Sequence, residues 1–345
     1  MKFTPFIFGF FLMSCCGSAT EVESSTTEIT AGTELIVESS DSMIAVETID
    51  TLNICSFNIQ FLGSFKNRQD SALSQILVPY DIVVIQELVS PPCDGVYPDG
   101  STYSADDESA SFVGEMEEQG FSYWLSEEDT GPKKNHNNST GSEWWITFYR
   151  AEKVLPDSSR FYGFLDTTRI LNANFDRVPY AFPFKSVDGR TDFTLISVHL
   201  KPGDGRADRA RRQHELVSLF DWVDAQNEEN LDFITLGDCN IYKLEEFVHF
   251  EAEDMFSLNR ECKSTNTKLY ELASKGRPYD HVFYQTATEE DLVGGSFRVE
   301  DLMGMLKPCF ESPFPYEPYV HDTFRTRFSD HVPVSFKMLI GTDTD

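Results

Sequence analysis

The sequence predicts a layered α/β domain, because strand-like apolar runs alternate with helix-like segments along nearly the whole chain. Residues 52–57, 82–86, 193–198 and 233–237 each read as a buried strand, and each leads directly into a residue fit for phosphate chemistry. Those residues are Asn58, Glu87, His199 and Asp238. Ligands of open α/β sheets gather beyond strand ends, so this recurrence predicts one polar site built from an amide, two carboxylates and an imidazole. Such a set suits a metal ion and a phosphate.

Among the helices, 206–225 carries the clearest signal, with Leu216, Leu219, Phe220 and Val223 at the i, i+3, i+4, i+7 spacing of one buried face. Weaker helical patterns cover 71–77, 109–119 and 244–249, and further strands are expected at 121–125, 143–150, 178–185, 281–284 and 332–338. Two stretches rich in Asp, Gly, Pro and Ser, 91–108 and 126–142, exceed ordinary connection length, and loops of that length are often functional. No internal repeat and no second linker follow residue 50, so residues 51–345 read as a single domain.

A chain of 345 residues with 40% hydrophobic content can bury a large core, which excludes disorder throughout. Residues 1–19 read as an export segment, with Lys2 followed by an apolar stretch, 6–13, too short to span a bilayer. Leu12-Met13-Ser14-Cys15 resembles the lipobox of bacterial lipoproteins, which implies a membrane anchor through a lipid on Cys15. The other reading is an ordinary secretory peptide cut near Ala19; both place the protein outside the cytoplasm. Residues 20–50 shift to Ser, Thr, Glu and Val, with eight acidic and no basic residues, and read as a disordered tether. Removing Lys2 and those eight acids from the total charge of -29 leaves −22 for residues 51–345. That balance argues against a protein that wraps a polyanion, though a bound cation in an acidic site can still receive a phosphodiester.

Seven cysteines are few for a disulfide scaffold. Cys55 and Cys239 fit packed thiols, while Cys93, Cys262 and Cys309 fall in loop-like sequence where one disulfide could form, its pair unassigned.

The motifs carry more. Ser56-Phe57-Asn58-Ile59-Gln60, Gln86-Glu87, Ser197-Val198-His199, Gly237-Asp238-Cys239-Asn240, Tyr279-Asp280-His281-Val282 and Ser329-Asp330-His331 follow one another over residues 56–334. In that order the set resembles the endonuclease/exonuclease/phosphatase superfamily, and within it the deoxyribonuclease I-type branch. The resemblance implies a four-layered α/β sandwich, two packed mixed β-sheets flanked by helices. It implies that Glu87 coordinates Mg2+, with Mn2+ as a substitute, assisted by Asn58 and by Asp330 through water. No structural Ca2+ site is assigned. Asp238 would orient or deprotonate the attacking water, and Asn240 would hold the scissile phosphate. His199 and His331 would bracket that phosphate, with Glu143 and Asp280 as their carboxylate partners. Arg177 matches the family's arginine before a strand and could fork onto phosphate oxygens, or else pair with a neighbouring carboxylate.

Two positions depart from the branch. Val89 stands where a basic residue enters the DNA minor groove, and Gly141 where an aromatic packs against the sugar-phosphate. Trp144 and Trp145 could stack on a base or belong to the core. The basic cluster Lys201, Arg206, Arg209, Arg211 and Arg212 could guide an anion or form a solvated helix face. His281 reads as a structural neighbour, and His136, His214, His249 and His321 have no motif context.

These readings point to an exported metal-dependent phosphodiesterase, a nuclease with nucleic acid as substrate and no protein partner inferred. The rivals are a phosphatase or sphingomyelinase-like phosphodiesterase of the same fold, and a surface binding lipoprotein without turnover. Thr235-Leu236-Gly237 and Pro278-Tyr279-Asp280-His281 lack the Trp-x-Gly and Trp-Cys-Asp-Arg signatures of inositol polyphosphate phosphatases. The Trp-Arg-x-Asp-Tyr segment of abasic-site endonucleases is missing as well.

Overall fold

The first strand begins at Asp50, one residue inside the stretch read as a tether. The computed structural model describes residues 50–131, 133–137, 140–226 and 232–341; the export segment with Cys15 and the tether up to residue 49 lie outside the described residues. Strand β1 (Asp50–Leu62), helix α1 (Asp70–Leu77) and strand β2 (Ile82–Leu88) come first. A small hairpin of β3 (Gly95–Val96) and β4 (Thr102–Tyr103), helix α2 (Asp107–Glu118) and strands β5 (Ser122–Leu125) and β6 (Trp144–Tyr149) come after them. Next are β7 (Val154–Pro156), β8 (Gly163–Phe164), β9 (Tyr180–Ser186), β10 (Asp192–His199), α3 (Arg206–Ala225) and β11 (Phe233–Asp238). The chain closes with β12 (Phe256–Ser257), β13 (Asp280–Tyr284), β14 (Arg298–Val299), α4 (Leu302–Leu306), α5 (His321–Arg327) and β15 (Val334–Ile340). The helix expected at 244–249 is instead a pair of 3-10 turns, Leu244–Glu246 and Val248–Glu253.

One sheet has the order β14-β15-β1-β2-β6-β5 and the other β12-β13-β11-β10-β9-β7, with β8 beside β9. Within these sheets β1–β2 and β10–β11 are parallel, and the other pairings are antiparallel. The four apolar runs that lead into Asn58, Glu87, His199 and Asp238 are these two parallel pairs. Their shared direction carries all four C-terminal ends to one edge, the condition under which a ligand site forms beyond strand ends.

Side-chain alternation sorts the strands into layers. Leu52, Ile54, Ile82, Val84, Val334 and Phe336 pack in one core with Leu195, Ile234, Leu236 and Val282 of the opposite sheet. Cys55, Phe57, Ile59, Val83 and Ile85 face the other way, onto Leu73 and Leu77 of α1, Phe112 and Met116 of α2, Leu302 of α4 and Phe324 of α5. Helix α3 covers the second sheet through Leu216, Leu219, Phe220 and Val223, with Phe220 5.5 Å from the Phe283 ring. The result is the four-layered sandwich of helices, sheet, sheet and helix. Each fully buried Leu or Phe contributes about 1.5–3 kcal/mol to holding these layers.

Toward the strand ends the inter-sheet face turns polar. Ser56 donates to Gln86 (3.3 Å), and the Gln86 amide donates to Ser197 on the other sheet (3.4 Å). This rung closes the apolar core directly beneath the residues of the candidate site. Cys55 and Cys239 are buried thiols as expected, whereas Cys262 and Cys309 are free, so no disulfide forms among Cys93, Cys262 and Cys309.

Gly237 precedes Asp238 at φ +144°, and a Cβ there would lie 2.1 Å from the Val198 carbonyl oxygen on the neighbouring strand. No side chain fits without prising β10 from β11. Gly237→Ala is expected to cost about 3 kcal/mol, read as a lower urea midpoint, in line with overpacking plus backbone strain. An unchanged midpoint would contradict this close approach.

Candidate active site

Asn58, on the inter-sheet face near the end of β1, is fully buried, and its Nδ2 donates to Glu87 Oε1 and to Asp238 Oδ2, each at 3.0 Å. Glu87 lies where the register of β2 against its neighbours slips, with φ +63°. A left-handed non-glycine residue in a bulge needs outside support. Its own N–H donates to Glu143 Oε2 (2.7 Å), and its Oε2 accepts the Phe61 N–H (3.1 Å), Phe61 being left-handed too at φ +51°. Burial, with the neighbouring charges of Asp330 and Glu143 added, raises the proton affinity of Glu87 above the ordinary carboxylate value, against the opposing pull of His199.

Glu143 stands just before β6 and is almost wholly buried. Its Oε1 lies 2.9 Å from Arg177 Nε and 3.0 Å from His199 Nδ1, the imidazole contact being an ion pair bent away from a linear hydrogen bond. Burial pushes Glu143 up, but His199 and Arg177 outweigh it and hold the carboxyl below its usual range. His199 mirrors this: burial and Arg177 lower its proton affinity, and Glu143 with Asp238 raise it above the ordinary imidazole value.

His331 has the stronger brace. Its Nδ1 meets Asp280 Oδ2 at 2.8 Å, and its N–H donates to Ser329 Oγ (2.9 Å), which in turn donates to the Asn58 carbonyl (2.6 Å). Burial lowers its proton affinity, yet Asp280 and Asp238 carry it well above the usual histidine range. The acceptor oxygens of Asp280 fix the ring with Nδ1 protonated and Nε2 facing the site.

At the centre, Asp238 Oδ2 lies 3.5 Å from Nε2 of His199 and 3.5 Å from Nε2 of His331. Asp238 Oδ1 accepts the N–H of Asn240, itself left-handed at φ +48° and anchored through Nδ2 to the Leu200 carbonyl (3.1 Å). Asp330 Oδ2 accepts from Gln60 Nε2 (2.9 Å). Glu87, Glu143, Arg177, Asn240, Asp330 and His331 line one cleft of about 340 Å³ with His199 and Asp238. The structure thus gathers Asn58, Glu87, Glu143, Arg177, His199, Asp238, Asn240, Asp280, Asp330 and His331 at one end of the sandwich. The alternatives for Arg177 coexist: Nε pairs with Glu143, while Nη1 is buried without a partner.

The donor set fits a divalent cation. Ligand atoms of Glu87, His199 and Asp238 lie within 4.8 Å of one another, as do those of Asp238, Asp280 and His331. Asn58 Oδ1 and Asp330 Oδ1 are buried oxygens without hydrogen-bond partners, the state that a hard cation or its water would relieve.

Other candidates go elsewhere. Trp144 and Trp145 are fully buried core residues. Val89 is buried and lines the cleft. The basic cluster is largely structural: Arg212 is buried on Glu246 and on the carbonyls of Lys201 and Gly203, Arg211 holds the carbonyls of Asn172 and Ala173, Lys201 pairs with Asp176 and Arg209 with Asp204. His136 pairs with Asp99, Glu128 and Asp129 in the 126–142 loop, and His321 meets Tyr319. Gln60 and Ser329 were missed as site residues. Gln60 shares the face of Asn58 by the two-residue strand period, which was the available signal.

No protein-family model matches the sequence, and no curated protein matches it significantly. Solved structures match the fold. An endonuclease/exonuclease/phosphatase from Beutenbergia cavernae DSM 12333 is 13% identical over 85% of this chain and 72% of its own, with a TM-score of 0.53. The endonuclease/exonuclease/phosphatase from Bacteroides vulgatus is 14% identical over 84% and 98%, with a TM-score of 0.52. D. rerio TDP2, solved with a single-strand DNA product, is 14% identical over 84% and 98%, with a TM-score of 0.51. The chain therefore has the fold of the endonuclease/exonuclease/phosphatase superfamily.

His281, beside Asp280, is fully buried, with Nε2 on the Pro278 carbonyl (2.9 Å) and Nδ1 on Ser257 Oγ (2.8 Å). The carbonyl requires a proton on Nε2, so Nδ1 accepts and the ring is neutral. Burial lowers its pKa to about 4 from an ordinary 6.5. The unfolded chain then binds a proton that the folded chain refuses, so stability is full above pH 6.5 and is lost as pH falls toward 4. The linkage amounts to about 2 kcal/mol at pH 5. Between pH 7.5 and 5, urea unfolding of the wild type should lose about that much more than His281→Gln loses; equal losses would contradict the assignment.

Proposed function

We propose that this protein is an exported Mg2+-dependent phosphodiesterase that hydrolyses nucleic-acid phosphodiesters by direct attack of water. The observation that carries the reading is the pair of carboxylate-braced imidazoles, His199 on Glu143 and His331 on Asp280, both turned to one carboxylate, Asp238. The geometry favours phosphate because it sets proton donors on two sides of an acceptor. A phosphoryl group gains negative charge on its equatorial oxygens during displacement, and preorganised donors there lower the barrier most. A purely packed site would gain by shedding such buried carboxylates, which argues against a binding protein without turnover. A nucleic-acid product bound by D. rerio TDP2, a protein of the same fold, agrees with the substrate class.

Each residue then has a role. A divalent cation held by Glu87, with Asn58 and Asp330, would supply charge neutralisation at the phosphate and leaving oxygen. Asp238 takes the proton of the attacking water, and Asn240 positions the phosphate beside it. His199 and His331, protonated through their partners, stabilise the developing charge, and one of them protonates the leaving oxygen. Arg177 presents Nη1 to a phosphate oxygen while Glu143 steadies its Nε. Secretion or anchoring through Cys15 completes the proposal.

His199→Ala and His331→Ala should each lower kcat on bis-p-nitrophenyl phosphate by about two to four decades with unchanged folding. Wild-type rates in both would refute the assignment, as would full activity of the wild type in EDTA. Plasmid DNA, RNA, sphingomyelin and phosphomonoesters assayed side by side separate the nuclease from its rivals. In calorimetry with Mg2+, Glu87→Gln should weaken binding far more than Asp238→Asn; equal loss would contradict the division of roles.

A further inference from the structure

Two half-buried aromatic side chains, one from each half of the sandwich, line the same cleft as the acidic and imidazole groups. Phe61 lies in β1 three residues beyond Asn58, packs 5.6 Å from Phe65, and binds the Glu87 carboxylate through its main chain. Its backbone is thereby held at the Glu87 side, with the ring against Phe65. Tyr279 precedes Asp280, lies 5.5 Å from the His331 ring, and is wedged edge-on against Tyr242 at 5.1 Å. Rigid aromatics are suitable stacking surfaces because little conformational entropy is lost when a base lands on them.

We propose that this cleft takes single-stranded nucleic acid in preference to duplex, one base stacking on Phe61 and another on Tyr279 across the scissile phosphate; this rests on the nuclease reading above. Duplex binding draws most of its affinity from basic side chains on the phosphates of both strands. Here most cations after the His199 strand are engaged, Lys201 on Asp176, Arg209 on Asp204, Arg211 on the Asn172 and Ala173 carbonyls and Arg212 on Glu246, which leaves Arg206 exposed. Val89 offers the cleft no charge, and residues 51–345 carry −22. Stacking supplies affinity that needs little positive charge, and it requires unpaired bases, which a duplex withholds.

The test measures kcat/KM of the full chain with Mg2+ on three substrates: a single-stranded oligonucleotide, its duplex, and the same strand with abasic tetrahydrofuran units flanking the cleavage site. In the wild type the single strand should exceed both others by at least about tenfold, the scale of a lost stacking contact. Phe61→Leu and Tyr279→Leu should each shrink the ratio of intact to abasic strand at least about fivefold, while Tyr279→Phe keeps it. Duplex cut as fast as single strand, an intact-to-abasic ratio near one in the wild type, or Leu variants with the wild-type ratio would overturn the proposal alone. Hydrolysis of bis-p-nitrophenyl phosphate without cleavage of any nucleic acid would remove the nuclease reading and the proposal together.

Discussion

One amide joins the two sheets at their open end. An amide nitrogen carries two hydrogens, and Asn58 directs one at Glu87 and the other at Asp238, each over 3.0 Å. Those carboxylates come from different sheets, Asp238 buried and Glu87 partly so, and without the amide they would face each other as like charges with no hydrogen between them. An aspartate at this position would add a third negative charge, and an aliphatic residue would supply no hydrogen at all. The amide itself is held from behind, since its main-chain carbonyl accepts from Ser329, the residue that also receives the His331 N–H. Position 58 therefore sets the distance between the two halves of the site.

The halves are built on one plan. In each sheet a parallel pair, β1–β2 or β10–β11, is flanked by antiparallel neighbours. Asn58 and His199 come at the ends of the first members, Glu87 and Asp238 at the ends of the second, and Glu143 and Asp280 at the starts of the next strands, β6 and β13. The bracing then crosses over. Glu143, from the first sheet, orients His199 of the second, and Asp280, from the second, orients His331, which leads into β15 of the first. Charge-assisted contacts thus stitch the sandwich shut at the end where its apolar filling stops. The same stitches set the tautomers and raise the proton affinity of both imidazoles, so architecture and chemistry share residues.

Much of this was legible because these strands announce themselves twice, by their apolar content and by the polar residue at their C-terminal end. Residues 52–57, 82–86, 193–198 and 233–237 are buried on both faces, which makes continuous apolar runs, and the change to Asn58, Glu87, His199 and Asp238 marks the point where core gives way to cleft. Helix 206–225 was readable to the residue from its buried stripe. Less was legible where tertiary contacts decide. Short strands such as Gly163–Phe164 and Arg298–Val299 have too few residues to show a period, and 244–249 looked helical although its turns are 3-10. The cations after residue 200 read as an anion guide or a solvated helix face, yet the partners of Lys201, Arg211 and Arg212, Asp176, Glu246 and several carbonyls, are distant in sequence or belong to the main chain. Aromatic residues needed the fold to sort them: of the two readings open for Trp144 and Trp145 the core one holds, while Phe61 and Tyr279 line the cleft.

The charge balance of the cleft gives a divalent cation a place in the proposed reaction. Glu87, Asp238 and Asp330 line the cleft against His199, His331 and Arg177, and the two carboxylates that pair with the imidazoles add further negative charge. A phosphodiester entering this field would be repelled by the carboxylates and attracted by His199 and His331, already engaged with them, and by the unpartnered Nη1 of Arg177. A divalent ion held among these oxygens would reverse the local sign and lower the proton affinity of Glu87, which burial and its neighbours raise. In the proposed reaction, phosphate binding and carboxylate ionisation would thereby depend on the same ion. That coupling would let an acidic protein handle an anionic substrate with few basic contacts, and it would leave much of the rest of the substrate to uncharged ones.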